Sequence, residues 1–117
     1  MTRWEQIKAV QRMQDHVDAH LAEPFSLQAL ARAARYSPWC AARLFREIAG
    51  MTPFEYVRAR RLSAAADRLR DGGVRVVDVA FDFEFGSHEG FTRAFARQFG
   101  MPPSRYREAG RSGAADE

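Results

Sequence analysis

The sequence predicts an all-α chain of seven helices, arranged as two helix-turn-helix subdomains joined by a long connecting helix. Three observations carry that prediction. Capping residues, with Pro at first-turn positions, repeatedly precede segments whose apolar residues recur at a 3.6-residue period. SPWCAARLFREIAGMTPFEYVR returns as SHEGFTRAFARQFGMPPSRYR at a constant offset of 50. Finally, no strand-like alternation competes: VRVVDVAFDFEF alternates in part, but it fills the slot of a short helix in the repeat.

The elements follow in order. Residues 5–22 read as an opening helix with Ile7, Val10, Met13 or Gln14, Val17 and Leu21 on one stripe, ended by Pro24. Ser26 caps a short helix, SLQALARAA, and after a brief turn Ser37-Pro38 opens a second, WCAARLFREIAG, which stops at Gly50. Thr52-Pro53-Phe54-Glu55 is a capping box with Pro at the first helical position, and the helix it starts runs to the Asp71-Gly72-Gly73 break. Beyond Gly73 the order recurs. Ser37, Arg43, Phe45, Gly50, Pro53 and Tyr56 match Ser87, Arg93, Phe95, Gly100, Pro103 and Tyr106, whereas Leu30-Ala31 match Val79-Ala80 at offset 49, so the second turn holds one extra residue. The organisation is an N-terminal subdomain over 1–52, a connecting helix over 53–71, a C-terminal subdomain over 72–108 and a flexible tail or linker over 109–117.

Composition narrows the function. The 117 residues are 46% hydrophobic and 28% charged, an ordinary globular balance, and no apolar run approaches membrane-spanning length. The N-terminus lacks the apolar core of a signal peptide, and a single cysteine, Cys40, excludes an internal disulfide, so a reducing cytoplasmic setting is expected. The formal net charge is +3, unevenly spread. Residues 26–70 carry nine arginines against three acids, a local +6, while residues 1–25 sum to −1 and residues 71–117 to −2. A middle third this basic suits a polyanion; a solvated helix surface is the plainer alternative.

A helix-turn-helix presents its second helix to the DNA major groove. In the first copy Ala41, Leu44, Phe45 and Ile48 form the buried stripe, leaving Trp39, Ala42, Arg43 and Arg46 on the opposite side as base readers. An indole can cover a thymine methyl, and a guanidinium can grip guanine O6 and N7; alternatively, Trp39 packs into the core at the helix start. In the second copy Phe91, Phe95 and Phe99 are buried, which leaves His88, Glu89, Gly90, Arg93 and Arg97 available. Glu89 either accepts from cytosine N4 or pairs with Arg93 four residues on. Gly90 either lets the helix approach the duplex or marks an unconstrained surface. Phosphate contacts are expected from Ser37, Thr52, Arg58, Arg61, Ser87, Thr92 and Arg97. The connecting helix spans roughly 27 Å at about 1.5 Å per residue, so one chain can serve two successive grooves about 34 Å apart and read an asymmetric site as a monomer.

The blocks ALARAARYSPW, RLFRE, GMTPFEYVRARRL, GSHEGFTRAFARQFG and MPPSRYR, spread over residues 5–108, resemble the DNA-binding domain of the AraC/XylS transcription regulators, above all the MarA/SoxS/Rob branch. The resemblance implies seven helices, monomeric binding to double-stranded DNA and activation through contact with RNA polymerase. Carried over by position, it makes Trp39, Arg43, His88, Glu89, Gly90 and Arg93 the base readers. Three departures stand out. The two turns hold Arg35 and Glu84 where the family places Gly, so either the turns are strained or their shape differs. Ala41 replaces a larger apolar residue, implying a shallow or shifted first recognition helix. Glu89 and Gly90 replace polar base readers, so the first copy is expected to dominate affinity.

Other chemistries have weaker footing. His16 and His20 share a helix face at metal-ligand spacing without a third ligand, and Cys40 has no paired His or resolving thiol. No Gly-rich phosphate loop or catalytic constellation occurs, so neither an enzyme nor a cofactor is expected. The competing class is a helical protein-interaction module without specific DNA binding. No ligand-sensing domain lies within these residues: the chain is either a regulator controlled by its abundance or the DNA-binding portion of a longer sensor.

Overall fold

The computed structural model describes the backbone of residues 1–116 and the side chains of residues 1–110. The element order is α1 (Arg3–Ala19), α2 (Leu27–Ala34), α3 (Pro38–Ala49), α4 (Pro53–Asp71), α5 (Val76–Asp82), α6 (His88–Phe99) and α7 (Pro103–Asp116). Among the described residues there is no strand, and no helix is long and apolar enough to cross a membrane. The chain divides into two compact units, Met1–Arg58 and Ala59–Glu117, and the division falls inside α4.

The first unit is built by α1, α2, α3 and the start of α4. Helix α1 begins earlier than the apolar stripe indicated, because Thr2 and Glu5 form a reciprocal capping box: Glu5 N–H donates to Thr2 Oγ1 and Thr2 N–H donates to the Glu5 carboxylate, each at 3.1 Å. It also ends earlier, at Ala19 rather than residue 22. His20 is its C-cap, with Nδ1 2.6 Å from the His16 carbonyl and its N–H donating to Val17. Termination is therefore a local capping event upstream of Pro24. Ser26 and Ser37 cap α2 and α3 by accepting the Ala29 and Cys40 N–H groups.

The core of this unit draws Ala9, Val10, Met13 and Val17 from α1, Leu30, Ala31 and Ala34 from α2, Ala41, Leu44 and Phe45 from α3, and Val57 from α4. Three helix stripes at i, i+3, i+4 spacing thus converge, and full burial of one side chain such as Phe45 contributes about 1.5–3 kcal/mol. Ala41 is wholly buried. The small residue there is covered by its neighbours, and α3 is not left shallow at that point.

In the second unit Leu62, Ala65, Ala66 and Leu69 of α4 are buried, as are Val79 and Ala80 of α5, Phe83 after it, and Phe91 and Phe95 of α6. An aromatic chain links these elements: Phe85 meets Phe91 at 5.0 Å between centroids, Phe91 meets Phe95 at 5.7 Å, and Phe95 meets Tyr106 at 5.3 Å. Polar ties add to it, with Arg107 Nη1 donating to the Val74 carbonyl at 3.0 Å and Arg68 Nη1 to Asp82 at 2.7 Å. Helix α7 continues past residue 108, so the segment expected as a tail is helical backbone as far as Asp116. Residue 117 lies outside the described residues, as do the side chains from 111 onward.

Candidate nucleic-acid interface

Each unit contains one helix-turn-helix, α2–α3 in the first and α5–α6 in the second. Their turns share one backbone solution. Among the described residues, Arg35 (φ 64) and Glu84 (φ 65) are the positive-φ non-glycine residues, so both turns take the left-handed conformation without glycine. Their shape does not change to suit the side chains. Each position stores strain, of order 1–2 kcal/mol against the usual right-handed backbone.

On α3 the side opposite the core is open. Trp39 is 68% exposed, which excludes its packing into the core. The Arg43 guanidinium lies 5.4 Å from the Trp39 ring centroid, and its Nε donates to Glu47 Oε1 at 3.2 Å. Arg46 is exposed and Ala42 half-buried, so all four expected base readers share one accessible surface.

On α6 His88, Glu89, Arg93 and Arg97 are exposed and Gly90 is half-buried. Glu89 and Arg93 form no ion pair, so the local pairing that their spacing permits is not made. Among the described residues neither charge has another ion-pair partner, so both are available to a ligand. Gly90 N–H donates to the capping Ser87 hydroxyl at 3.0 Å, and a Cβ there would stand 3.0 Å from that same oxygen, the movable end of a side chain; Cys40 carries a side chain at the equivalent place after Ser37.

The expected phosphate contacts divide by accessibility. Ser37 and Ser87 are exposed caps whose oxygens accept one helix N–H each, leaving the hydroxyl proton free to donate. Arg58 and Arg97 are exposed, and Thr92 is half-buried. Thr52 is different, because its hydroxyl accepts from the Glu55 N–H and donates to the Glu55 carboxylate, so its capacity is spent inside the capping box. Arg61 is half-buried; burial lowers its pKa while Glu84 pulls it back up, and it stays protonated at neutral pH.

The repeat also builds a matching hollow beside each recognition helix, which residue-by-residue reading of the sequence missed. In the first unit it is lined by Ala42, Arg46, Pro53 and Phe54, with Phe54 65% exposed and edge-on to Phe25 at 4.6 Å. In the second, Thr92, Pro103 and Ser104 occupy the corresponding places, together with Arg75, His88 and Arg107. The offset of 50 pairs Phe54 with Ser104 and Ala42 with Thr92. The same groove is therefore aromatic in one unit and hydroxylated in the other. That signal was present in the sequence alignment of the two copies.

Elsewhere, the His16 and His20 rings stack with centroids 4.3 Å apart, and no group of three or more His, Cys, Asp or Glu that could hold a metal exists among the described residues. Cys40 is exposed.

Comparison with known proteins agrees with this geometry. A family model described as a helix-turn-helix domain matches residues 30–109. The chain is 40% identical over 93 residues to Right origin-binding protein of Escherichia coli, a match covering 80% of this chain and 32% of that protein. It thus spans about a third of that relative. Regulatory protein SoxS of Salmonella typhimurium is 36% identical over 98 residues, covering 84% of this chain and 92% of SoxS. Among solved structures, the DNA-binding domain of AdpA, a global transcriptional factor solved in complex with a target DNA, superposes with a TM-score of 0.82 at 28% identity, covering 92% of this chain and 97% of that one. The chain belongs to the AraC/XylS helix-turn-helix family, beside SoxS and Rob.

Proposed function

We propose that the protein is a sequence-specific DNA-binding transcription regulator that reads an asymmetric site with two unlike recognition helices. The observation that carries this reading is the open face of α3, where an exposed Trp39 and two exposed arginines project from a helix whose other side is the core. Trp39 supplies apolar cover for a thymine methyl, and Arg43 and Arg46 supply guanidinium donors for guanine, while Ala42 keeps the helix surface low between them. On α6, Arg93 reads guanine, Glu89 accepts from cytosine N4, and His88 and Gly90 complete the face. Ser37, Ser87, Thr92, Arg58, Arg61 and Arg97 hold phosphates and set register. The first unit dominates affinity because its face adds the exposed indole of Trp39 to its two arginines. One chain suffices for both half-sites, about one helical turn apart. As the family resemblance implies, bound protein activates by touching RNA polymerase.

The test is selection of bound duplexes from a random pool, followed by affinity measurements on wild type, Arg43→Ala and Arg93→Ala across salt concentrations. An asymmetric bipartite site is expected. Loss of Arg43 should cost about 1–3 kcal/mol with relaxed preference at one base pair, and loss of Arg93 less. If no sequence is enriched and both variants bind like wild type, the regulator reading fails and the helical-interaction alternative takes its place.

A further inference from the structure

We infer that Glu47 is a positioning residue for DNA reading, one that fixes the Arg43 guanidinium so that its two terminal nitrogens face outward; the inference rests on the reading of Arg43 proposed above. Trp39, Arg43 and Glu47 follow one another at four-residue intervals on α3, so they form a single column along the helix. Two contacts hold the middle residue. The indole face lies 5.4 Å below the guanidinium carbon, and Glu47 Oε1 takes the Nε proton at 3.2 Å. A guanidinium has five N–H donors in a rigid plane. The bond to Glu47 uses the one nearest the side-chain stem, and the described structure gives the terminal nitrogens no protein partner. Those terminal nitrogens form the fork that bridges guanine O6 and N7.

The placement is otherwise hard to account for. Glu47 sits on an exposed helix face directed at a polyanion, where a carboxylate repels phosphates. Its ion pair with Arg43 is open to solvent, with the two side chains 49% and 64% exposed, and such pairs add little to stability. The second copy lacks the device. Arg97 stands where Glu47 does, Glu89 stands where Trp39 does, and among the described residues Arg93 has neither an acid nor an aromatic partner. Arg43 is therefore pre-organised, while Arg93 must be ordered on binding, and ordering one long side chain costs affinity each time.

Three duplexes test this: the site enriched from a random pool by the wild-type chain, the same site with the base pair read by Arg43 replaced, and an unrelated sequence of equal length. Glu47→Ala should bind the unrelated duplex more tightly than wild type, because a charge repelling phosphates is gone. At the same time its preference for the enriched site over the altered one should fall, by roughly two- to tenfold on the scale of ordering one side chain. Glu47→Gln retains an oxygen for the Nε proton and should keep most of that preference while sharing the tighter non-specific binding. In an Arg43→Ala background Glu47→Ala should leave the preference unchanged. Tighter binding to the unrelated duplex together with a reduced preference, at an unaltered melting temperature, separates positioning from a merely structural role. The inference is overturned if the preference survives Glu47→Ala, if it falls equally without Arg43, or if both affinities drop together with the melting temperature. A wild-type chain that enriches no duplex removes the regulator reading and this inference together; an enriched site sensitive to Arg43 but not to Glu47 removes only this one.

Discussion

Tyr56 meets the fully buried Phe45 edge to face, with centroids 5.4 Å apart and planes at 66°. Fifty residues later Tyr106 meets Phe95 in the same way, at 5.3 Å and 73°. Each recognition helix is thus clamped from its buried side by the first turns of the helix that follows it. In the first unit the Tyr56 hydroxyl also donates to the Asp18 carboxylate at 3.3 Å, tying α4 to α1.

Truncating the buried ring of either pair should cost about 3–5 kcal/mol, because the site loses its transfer energy and leaves a cavity. Phe45→Ala and Phe95→Ala are expected to lower unfolding free energy by comparable amounts in denaturant titration. Tyr56→Phe keeps the ring contact and gives up the exposed hydroxyl contact with the Asp18 carboxylate, so it should cost at most about 1 kcal/mol.

The left-handed turns make a prediction of opposite sign. Replacing Arg35 or Glu84 with Gly relieves about 1–2 kcal/mol of backbone strain and gives back up to about 1 kcal/mol in the greater freedom of the unfolded chain. Each variant should therefore gain up to about 1 kcal/mol, read as a higher denaturation midpoint at unchanged slope. Arg35→Ala should gain nothing, since alanine carries the same Cβ into the same φ.

Phosphate and base contacts separate by salt. Arg58→Ala should weaken binding to all duplexes about equally and reduce the slope of log affinity against log salt by about 1. Ser37→Ala should weaken the α3 cap as well, lowering stability by about 1 kcal/mol, so its DNA effect must be read at a temperature where the variant is folded.

A pH prediction comes from α1. Burial holds the His16 imidazole below its ordinary pKa of 6.5, with His20 adding to the depression and Glu23 opposing it. A base whose folded pKa is depressed takes up protons more readily when unfolded. Its contribution is complete above pH 6.5 and is lost as the pH falls through the interval down to the folded pKa. Stability should therefore decline on acidification below 6.5, and His16→Gln should flatten that part of the curve. An undiminished decline in the variant would assign it to other groups.

Seven helices, two copies and the family are legible in the residues alone, because those signals are local or repeated. A serine accepting an N–H three residues on, a proline at the first helical position and an apolar stripe act over one or two turns of backbone, and the offset of 50 needs no contact to be seen. The ends of α1 show the limit of such signals. Pro24 is conspicuous, yet the helix is closed by His20 folding back on the His16 carbonyl, a side-chain event that composition does not announce. Where a side chain had two available fates, the packed fold chose between them. Arg35 and Glu84 accept left-handed backbone because the helices on either side fix the turn. Trp39 stays outside because Ala41, Leu44 and Phe45 already fill the interior beneath α3. Arg43 takes an acid at i+4 while Arg93 leaves its acid at i−4 unpaired. Spacing permits both pairings; which one forms depends on rotamers and neighbours that only the folded chain brings into place.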